Sequence, residues 1–273
     1  MLGALIGDIV GSIYEFNNIK TKDFPLFSEG SRYTDDSVMT LAVAEICQNG
    51  YINDKEKIID TLKKWGHAYP NAGYGAKFIH WLFSNNRLPY NSCGNGSAMR
   101  VSACGWYGKT EKEVIDYATK VTEVTHNHPE GIKGAIVTAL CIFYARTGKS
   151  KEFIRDYVER EYPEIKKLDY EDLRCTYVHG PEICQVTLPQ ALYCFLISNS
   201  FEDCIRTTIS IGGDCDTTAA ISGAIAEAYY YKDINNVLLY QVQKRMPQPK
   251  DGCDAYEVLD KFLCYKNLEG GRW

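Results

Sequence analysis

The sequence predicts an all-α fold, and three observations carry that prediction. Long segments place apolar residues at helical spacing, as Val38, Leu41 and Ile46 do. Pairs such as Asn49-Gly50 and Thr147-Gly148, which are typical of helix ends, separate these segments. No run of residues alternates as a half-buried strand does. Because no long Pro/Ser-rich linker or shift of composition divides the 273 residues, we predict a single domain over residues 1–273.

The first predicted helix begins in the apolar N-terminal segment and ends near Glu15. Gly3, Gly7 and Gly11 recur every four residues on it and form a small-residue stripe, which would let a neighbouring helix approach closely. Further helices are predicted near residues 38–49, 53–68, 110–124, 131–146, 183–198, 201–210 and 217–230. The segment 161–182 is the least regular, and we predict an inserted loop there.

Composition excludes several classes of partner. The net charge is −5, with 30 Lys and Arg against 35 Asp and Glu and no basic run, so we expect no nucleic-acid polymer as a partner. The N-terminal segment lacks a basic region, and Asp8 interrupts it too early for a membrane span, so we expect no membrane partner. Eleven cysteines without a C-x-x-C pair predict free thiols and a cytoplasmic location.

Two short acidic clusters stand where irregular segments become helical: Thr34-Asp35-Asp36 and Asp214-Cys215-Asp216-Thr217. Thr and Asp are favoured as helix caps and in first turns, so either cluster alone could be a cap. Each cluster, however, supplies two carboxylates and a hydroxyl where a cap needs one residue. Packed anions repel each other unless a counter-charge joins them. Together the clusters therefore predict a cation site.

The expected ions are hard divalent cations, which prefer oxygen ligands. An EF-hand does not fit. With Asp214 at its first position, Ala219 stands where the loop needs Gly, and Ile225 stands where it needs a bidentate Glu. The ligands must therefore be shared between the two clusters across the fold.

Two Gly-containing turns could contact a ligand. The turn around Gly73-Tyr74-Gly75 runs into a helix, where free backbone N–H groups bind phosphate in other proteins, although most such turns only connect helices. The segment Ser92-Cys93-Gly94-Asn95-Gly96 would allow close approach of a ligand, or it is a plain tight turn. It lacks the Lys of a P-loop. The residues alone leave both alternatives open.

Two further places carry titratable groups of interest. His126 and His128 precede a helix that begins near Pro129, without other ligands at zinc spacing, so each is a cap, a packed histidine or a substrate contact. Glu15 ends an otherwise apolar helix, where the helix dipole disfavours an acid. That position invites a functional explanation, although exposure to solvent would also account for it.

Taken in order, these motifs resemble the ADP-ribosylglycohydrolase family, which includes the dinitrogenase-reductase-activating glycohydrolases. The resemblance extends from residue 3 to about residue 230. It is carried by Gly3 to Glu15, Tyr33 to Ser37, Gly73 to Gly75, Gly94 to Arg100, His126 to Pro129 and Gly212 to Thr217. The resemblance implies a compact, single-domain orthogonal helical bundle with a binuclear metal site at helix N-termini.

The resemblance also implies roles for individual residues. The expected ligands of two Mg²⁺ or Mn²⁺ ions are Thr34, Asp35, Asp36, Asp214, Asp216 and Thr217. The expected substrate contacts are Gly73, Gly75, Ser92, Asn95, Gly96 and His126. Glu15 is the expected proton-handling acid, with the metal-bound Asp36 as the alternative.

The implied activity is metal-dependent hydrolysis of the glycosidic bond that links ADP-ribose to a protein side chain or a small acceptor. Some arginine-directed members carry an acid just before Gly-Asn-Gly, where this chain has Asn91-Ser92-Cys93. This difference, together with Glu15 and its neighbour Tyr14, favours members that act on O-linked ADP-ribose. The alternative function is a non-catalytic ADP-ribose-binding or structural protein of the same fold. Loss of metal ligands would favour that alternative, and all six positions are intact.

Overall fold

The computed structural model describes residues 1–268, and these contain fifteen α-helices. In chain order they are α1 Leu2–Gly11, α2 Asp35–Gln48, α3 Lys55–Ala68, α4 Ala76–Phe83, α5 Gly96–Met99, α6 Ser102–Tyr107, α7 Glu111–Glu123, α8 Pro129–Arg146, α9 Lys151–Glu161, α10 Tyr170–Thr176, α11 Cys184–Ile197, α12 Phe201–Ser210, α13 Cys215–Tyr229, α14 Asn236–Gln243 and α15 Ala255–Leu268. Residues 269–273 of the predicted domain lie outside the described residues. Within 1–268, isolated bridges occur but no strand, which confirms the all-α prediction.

Helix α13 lies at the centre of the fold. Every residue from Cys215 to Ala228 is buried, because small and apolar residues surround the helix on all sides. The largest hydrophobic cluster extends from Met1, which precedes α1, to Phe262 in α15 and includes the fully buried Trp65. The α13 N-terminus is therefore held inside the protein, away from bulk water.

Helix α1 packs antiparallel against α13 through the glycine stripe predicted from the sequence. A Cβ at Gly3 would lie 2.1 Å from the Gly223 carbonyl oxygen, and one at Gly7 would lie 2.1 Å from that of Ala219. No side chain fits at such distances. At the far end, Gly11 approaches the backbone of Asp216. The residues that follow α1 therefore lie next to the N-terminus of α13.

The predicted helices are present, and their ends are corrected by a few residues. The first helix ends at Gly11 instead of near Glu15, and Glu15 lies in the turn that follows. Glu15 is therefore not at the C-terminal end of a helix dipole. The segment 161–182 is not simply a loop, because it contains a 3₁₀ turn at Pro163–Lys167 and helix α10.

The cysteines and the lengths of the helices relate to two predictions from composition. All eleven cysteines are free thiols, and seven of them are buried. None of the described helices combines the length and the apolar character needed to cross a membrane. The cytoplasmic location stays a prediction.

Candidate metal centre and substrate cavity

The two acidic clusters meet where α2 and α13 begin. Thr34 is the N-cap of α2, and its Oγ1 accepts the Asp36 N–H at 3.3 Å, so the capping interpretation holds for this residue. The clusters nevertheless touch, because the Thr217 hydroxyl donates to Asp36 Oδ2 at 3.0 Å. Capping and a shared site are therefore compatible. The fold joins residues 181 positions apart in the chain.

The carboxylates form two overlapping groups, each with oxygens within 4.8 Å of one another. One group contains Asp8, Asp36 and Asp216, and the other contains Glu15, Asp214 and Asp216. Asp216 belongs to both. Asp36 Oδ1 is buried without a hydrogen-bond partner among the described residues, which leaves it free to coordinate an ion. The donor set thus fits hard divalent cations.

The electrostatics of the site also favour cations. Burial raises the pKa of Asp36 and Asp216 well above the ordinary range, and the neighbouring carboxylates raise it further. Asp35, at the start of α2, has its pKa raised for the same reasons. Burial and then Asp214 raise the pKa of Glu15 to about 7. A divalent cation would reverse these shifts by stabilising the ionised forms.

We expect the metal-free protein to lose stability as pH rises. The unfolded chain ionises its carboxyl groups near pH 4, whereas in the folded chain the pKa of Glu15 is raised to about 7, and burial raises the pKa of Asp36 and Asp216 well above the ordinary range. Stability therefore falls between these values. Mn²⁺ at a hundredfold excess over its Kd at pH 8 should raise Tm by roughly 5 °C at that pH. The same concentration should raise Tm by less near pH 5, where protons compete with the cation for the carboxylates.

Differential scanning calorimetry with and without a chelator would measure this effect. Na⁺ at matched ionic strength is the control, because it screens charges without filling a site that needs several carboxylates. An equal rise in Tm with Na⁺, or the same rise at both pH values, would contradict a divalent-cation site.

Asp8 belongs to the candidate site but was not predicted from the sequence. Its carboxylate accepts four hydrogen bonds. Thr34 donates its backbone N–H at 2.9 Å and its hydroxyl at 2.6 Å. Ser37 donates its backbone N–H at 3.0 Å and also its hydroxyl. With its oxygens occupied in this way, Asp8 anchors the first turn of α2 to α1. It thereby orients Thr34 and Asp36. A single acid within the apolar helix α1 was the available signal.

Asn18 fixes the turn that carries Glu15. Its amide nitrogen donates to the carbonyl oxygens of Tyr14 at 2.8 Å, Glu15 at 3.0 Å and Gly213 at 2.9 Å, and its amide oxygen accepts the Gly213 N–H at 2.8 Å. Gly213 immediately precedes Asp214. One side chain therefore sets the position of Glu15 relative to the acidic cluster at α13. In the sequence, Asn18 is one of several polar residues in an irregular segment, and nothing marks it.

We expect Asn18→Ala to lower kcat by about tenfold or more while KM changes less, because it would displace Glu15, the expected proton-handling residue. The variant should also lose about 1–3 kcal/mol of stability. Asn235→Ala is a matched control, since it removes a cap of α14 away from the site and costs about 1 kcal/mol. An activity loss of equal size in both variants would show that stability alone is responsible.

All the predicted site residues line one cavity of about 470 Å³. Gly73 has a φ of 105°, and Gly75 is the N-cap of α4, so this turn presents a helix N-terminus to the cavity. Across it, Asn95 donates to Asp214 Oδ2 at 2.6 Å and so ties the Gly94–Gly96 turn to the acidic cluster. Ser92 Oγ accepts the Gly94 N–H at 3.1 Å. The ligand and substrate roles of these residues stay predictions.

The two histidines have different roles in the fold. His128 is the N-cap of α8 and accepts the Glu130 N–H at 3.1 Å. His126 is buried and lines the cavity. The sequence left open which of them caps a helix, and the structure shows that it is His128.

The opening of the cavity is formed by groups that were not predicted from the sequence. Phe16 is 77% exposed and stacks on His179, and His179 Nε2 lies 4.0 Å from Glu15 Oε1 and 3.5 Å from Glu182 Oε1. Glu182 also lines the cavity, as do the side chains of Arg32 and Lys77. The loop between α10 and α11, which carries His179 and Glu182, therefore faces Glu15 across the entrance. No sequence motif relates these residues to the acidic clusters.

Fold and site define an all-α protein with a carboxylate-rich cavity built on the N-termini of two helices. The family model for ADP-ribosylglycohydrolase matches residues 1–265, and the chain belongs to that family. The protein is 27% identical to the Homo sapiens protein ADP-ribosylhydrolase ARH3 in an alignment that covers 96% of this chain and 91% of that protein.

It is also 24% identical to the Rhodospirillum rubrum protein ADP-ribosyl-[dinitrogen reductase] glycohydrolase, over 85% of this chain and 84% of that one. A solved structure described as an ADP-ribosylglycohydrolase-related protein complex matches with a TM-score of 0.69 at 22% identity, covering 98% of this chain and 97% of that chain. This likeness supports the fold.

Proposed function

We propose that the protein hydrolyses the glycosidic bond linking ADP-ribose to a protein side chain or a small acceptor, with two Mg²⁺ or Mn²⁺ ions as cofactors. The observation that carries the proposal is the meeting of Asp36 and Asp216 in a cavity that Gly-rich turns also line. Carboxylates suit cations, and the turns suit the phosphates of a nucleotide. Membership of the family adds the reaction class.

Six residues would hold the ions: Thr34, Asp35, Asp36, Asp214, Asp216 and Thr217. Bound divalent cations would supply Lewis acidity, which lowers the pKa of a coordinated water and stabilises developing negative charge. The protein keeps the ligands in place before any ion arrives. Asp8 fixes the α2 side through Thr34, and Asn95 fixes the α13 side through its hydrogen bond to Asp214.

Glu15 is our proposed proton-handling residue. It is partly buried beside Asp214, and its pKa is about 7 without cations. Bound cations would lower that pKa, so Glu15 would be ionised near neutral pH and able to accept a proton. Cleavage of a glycosidic bond builds positive charge on the sugar, which a nearby carboxylate stabilises. Asp36 remains the alternative, although its Oδ2 already accepts the Thr217 hydroxyl.

The Gly-rich turns bind the rest of the substrate in this proposal. The diphosphate would lie at Gly73 and Gly75, where the N-terminus of α4 offers backbone N–H groups. Ser92, Asn95 and Gly96 would lie along the ADP-ribose, with His126 as a side-chain contact. The exposed opening near Phe16 leaves room for the acceptor, which is either a side chain of an ADP-ribosylated protein or a small compound.

A panel of ADP-ribosyl-arginine, ADP-ribosyl-serine and O-acetyl-ADP-ribose, each with Mg²⁺ or Mn²⁺, tests the activity by release of free ADP-ribose. We expect cation-dependent release, and faster release from the O-linked compounds, because Asn91-Ser92-Cys93 replaces the acid of arginine-directed relatives. Release from ADP-ribosyl-arginine alone would overturn the preference for O-linked compounds.

A non-catalytic ADP-ribose-binding protein is the alternative function. Binding of ADP-ribose without release from any compound of the panel would support it. The carboxylates argue for the enzyme, because retaining several buried acids beside one another without a cation is unfavourable.

A further inference from the structure

Behind the Gly94–Gly96 turn, three side chains form a continuous hydrogen-bonded chain. Arg100 Nη2 donates to Thr125 Oγ1 at 2.8 Å, and Thr125 Oγ1 lies 2.7 Å from His126 Nδ1. Arg100 is 1% exposed, Thr125 is fully buried and His126 is 5% exposed. Arg100 and His126 both line the substrate cavity, so the chain lies along the cavity wall and is largely shielded from water.

The direction of this chain is set by Arg100, because a guanidinium donates and never accepts. Thr125 Oγ1 must accept from Arg100, so its one hydroxyl proton is left for another acceptor. The candidates are His126 Nδ1 at 2.7 Å and the Thr122 carbonyl oxygen at 3.4 Å. The second distance is longer than an ordinary O–H···O bond, and the first is typical of one. The hydroxyl thus donates to His126 Nδ1.

An Nδ1 that accepts a hydrogen bond carries no proton. Burial, and then the positive charge of Arg100, lower the pKa of His126 well below its ordinary value, so the ring is neutral near pH 7. A neutral imidazole with a bare Nδ1 carries its proton on Nε2.

The Nε2 atom points at the turn that faces the ligand. It lies 3.5 Å from where a Cβ would stand at Gly94 and 3.4 Å from the same position at Gly96, so the two glycines leave the space in front of it open. Within residues 1–268, Nε2 makes no hydrogen bond. An N–H at the wall of a cavity that has no protein partner is available to donate to a ligand.

We infer that Arg100 and Thr125 are positioning residues that hold His126 as the neutral Nε2–H tautomer, and that this N–H donates to an acceptor oxygen of the bound ADP-ribosyl group beside the Gly94–Gly96 turn. The identity of the ligand rests on the proposed function, whereas the tautomer does not. A mobile histidine could donate or accept. This one is fixed as a donor, which suits the oxygen-rich, negatively charged ADP-ribose.

The tautomer is measured directly by nitrogen-15 NMR of histidine-labelled protein without any ligand. The chain has five histidines, and the His126 signals are assigned from the spectrum of His126→Gln. We expect an unprotonated Nδ1 and a protonated Nε2 in the wild type. A protonated Nδ1 would overturn the inference, whether or not the protein binds ADP-ribose.

The functional consequence is tested with ADP-ribose itself, by calorimetric titration in the presence of Mg²⁺. Thr125→Val removes the hydroxyl at nearly constant volume and should raise the Kd by roughly two- to tenfold. Free exchange of the proton between Nδ1 and Nε2 accounts for about twofold, and loss of the hydrogen bond that orients the ring accounts for the rest. Thr125→Ser should recover most of the affinity and the wild-type tautomer. Thr138→Val is the matched control, since it removes a buried hydroxyl of α8 that bonds only the Gly134 carbonyl oxygen.

The outcomes separate the two parts of the inference. A Thr125→Val protein with wild-type Kd, or one weakened no more than Thr138→Val, would overturn the positioning role. If wild-type protein binds no ADP-ribose, the proposed function and the ligand assignment both fail, and the NMR result still decides the tautomer.

Discussion

Replacing Asp216 by Asn is expected to lower turnover by on the order of 10³-fold, because Asp216 is the carboxylate common to both groups of potential ligands. Loss of a residue that only orients a metal ligand typically lowers metal affinity or activity 10- to 100-fold, and loss of a shared metal ligand should lower them more. Mn²⁺ affinity, measured by titration calorimetry, should fall in parallel. Activity at the wild-type level with unchanged metal dependence would show that the ligand assignment is wrong.

The stability of this variant separates a metal ligand from a structural acid. Burial raises the pKa of Asp216, and the charges of Asp214, Asp36 and Glu15 raise it further. Removing one charge relieves that repulsion, so the metal-free Asp216→Asn protein should melt at or above the temperature of the metal-free wild type near pH 8. Asp156→Asn, on the exposed side of α9, is the matched control and should change neither property. A large drop in Tm would assign Asp216 a structural role.

Replacing Glu15 by Gln is expected to lower kcat by roughly 10²- to 10⁴-fold, the usual contribution of a proton-transferring side chain. Binding of ADP-ribose should change by only a few fold, because Gln keeps the volume of the side chain. Mn²⁺ affinity should fall less than in Asp216→Asn, since Glu15 belongs to one of the two carboxylate groups and Asp216 to both. Glu29→Gln, at an exposed loop position, is the control.

The pH dependence of kcat gives a second test of Glu15. If Glu15 accepts a proton during the reaction it must be ionised, so activity should fall as pH drops below its pKa. That pKa is about 7 without cations and is lowered by bound positive charge. The acidic limb of the plot of kcat against pH should therefore lie below pH 7, and it should disappear in Glu15→Gln. If the limb persists there and disappears in Asp36→Asn, Asp36 is the proton-handling residue.

Much of the fold could be predicted because its signals are local. Helical spacing of apolar residues placed the seven predicted helices after the first, and the spacing of Gly3, Gly7 and Gly11 predicted a close helix contact. Helix ends were less predictable. Glu15 was placed at the end of α1, but the helix ends at Gly11, and the Asn18 amide holds the next turn through carbonyl groups from two parts of the chain.

The candidate site was predictable to the extent that it consists of motifs. The acidic clusters and the Gly-rich turns are visible in the chain, and all their predicted residues line one cavity. Asp8 and Asn18 were missed, because their importance lies in hydrogen bonds to Thr34, Ser37 and Gly213, distant in the sequence. His179 and Glu182 were missed for the same reason, since they lie in a loop with no motif.

The sequence by itself determined the helical class, the two acidic clusters and the oxygen chemistry that suits a hard cation, because each of these depends on residues within a few positions of one another. Only the tertiary structure decided that the Thr217 hydroxyl meets Asp36, that His128 caps α8, and that His126, hydrogen-bonded to Thr125, faces the cavity. The physical reason is that a carboxylate or an imidazole takes its pKa, its tautomer and its partners from whatever the fold packs within a few ångström of it, wherever those groups stand in the chain.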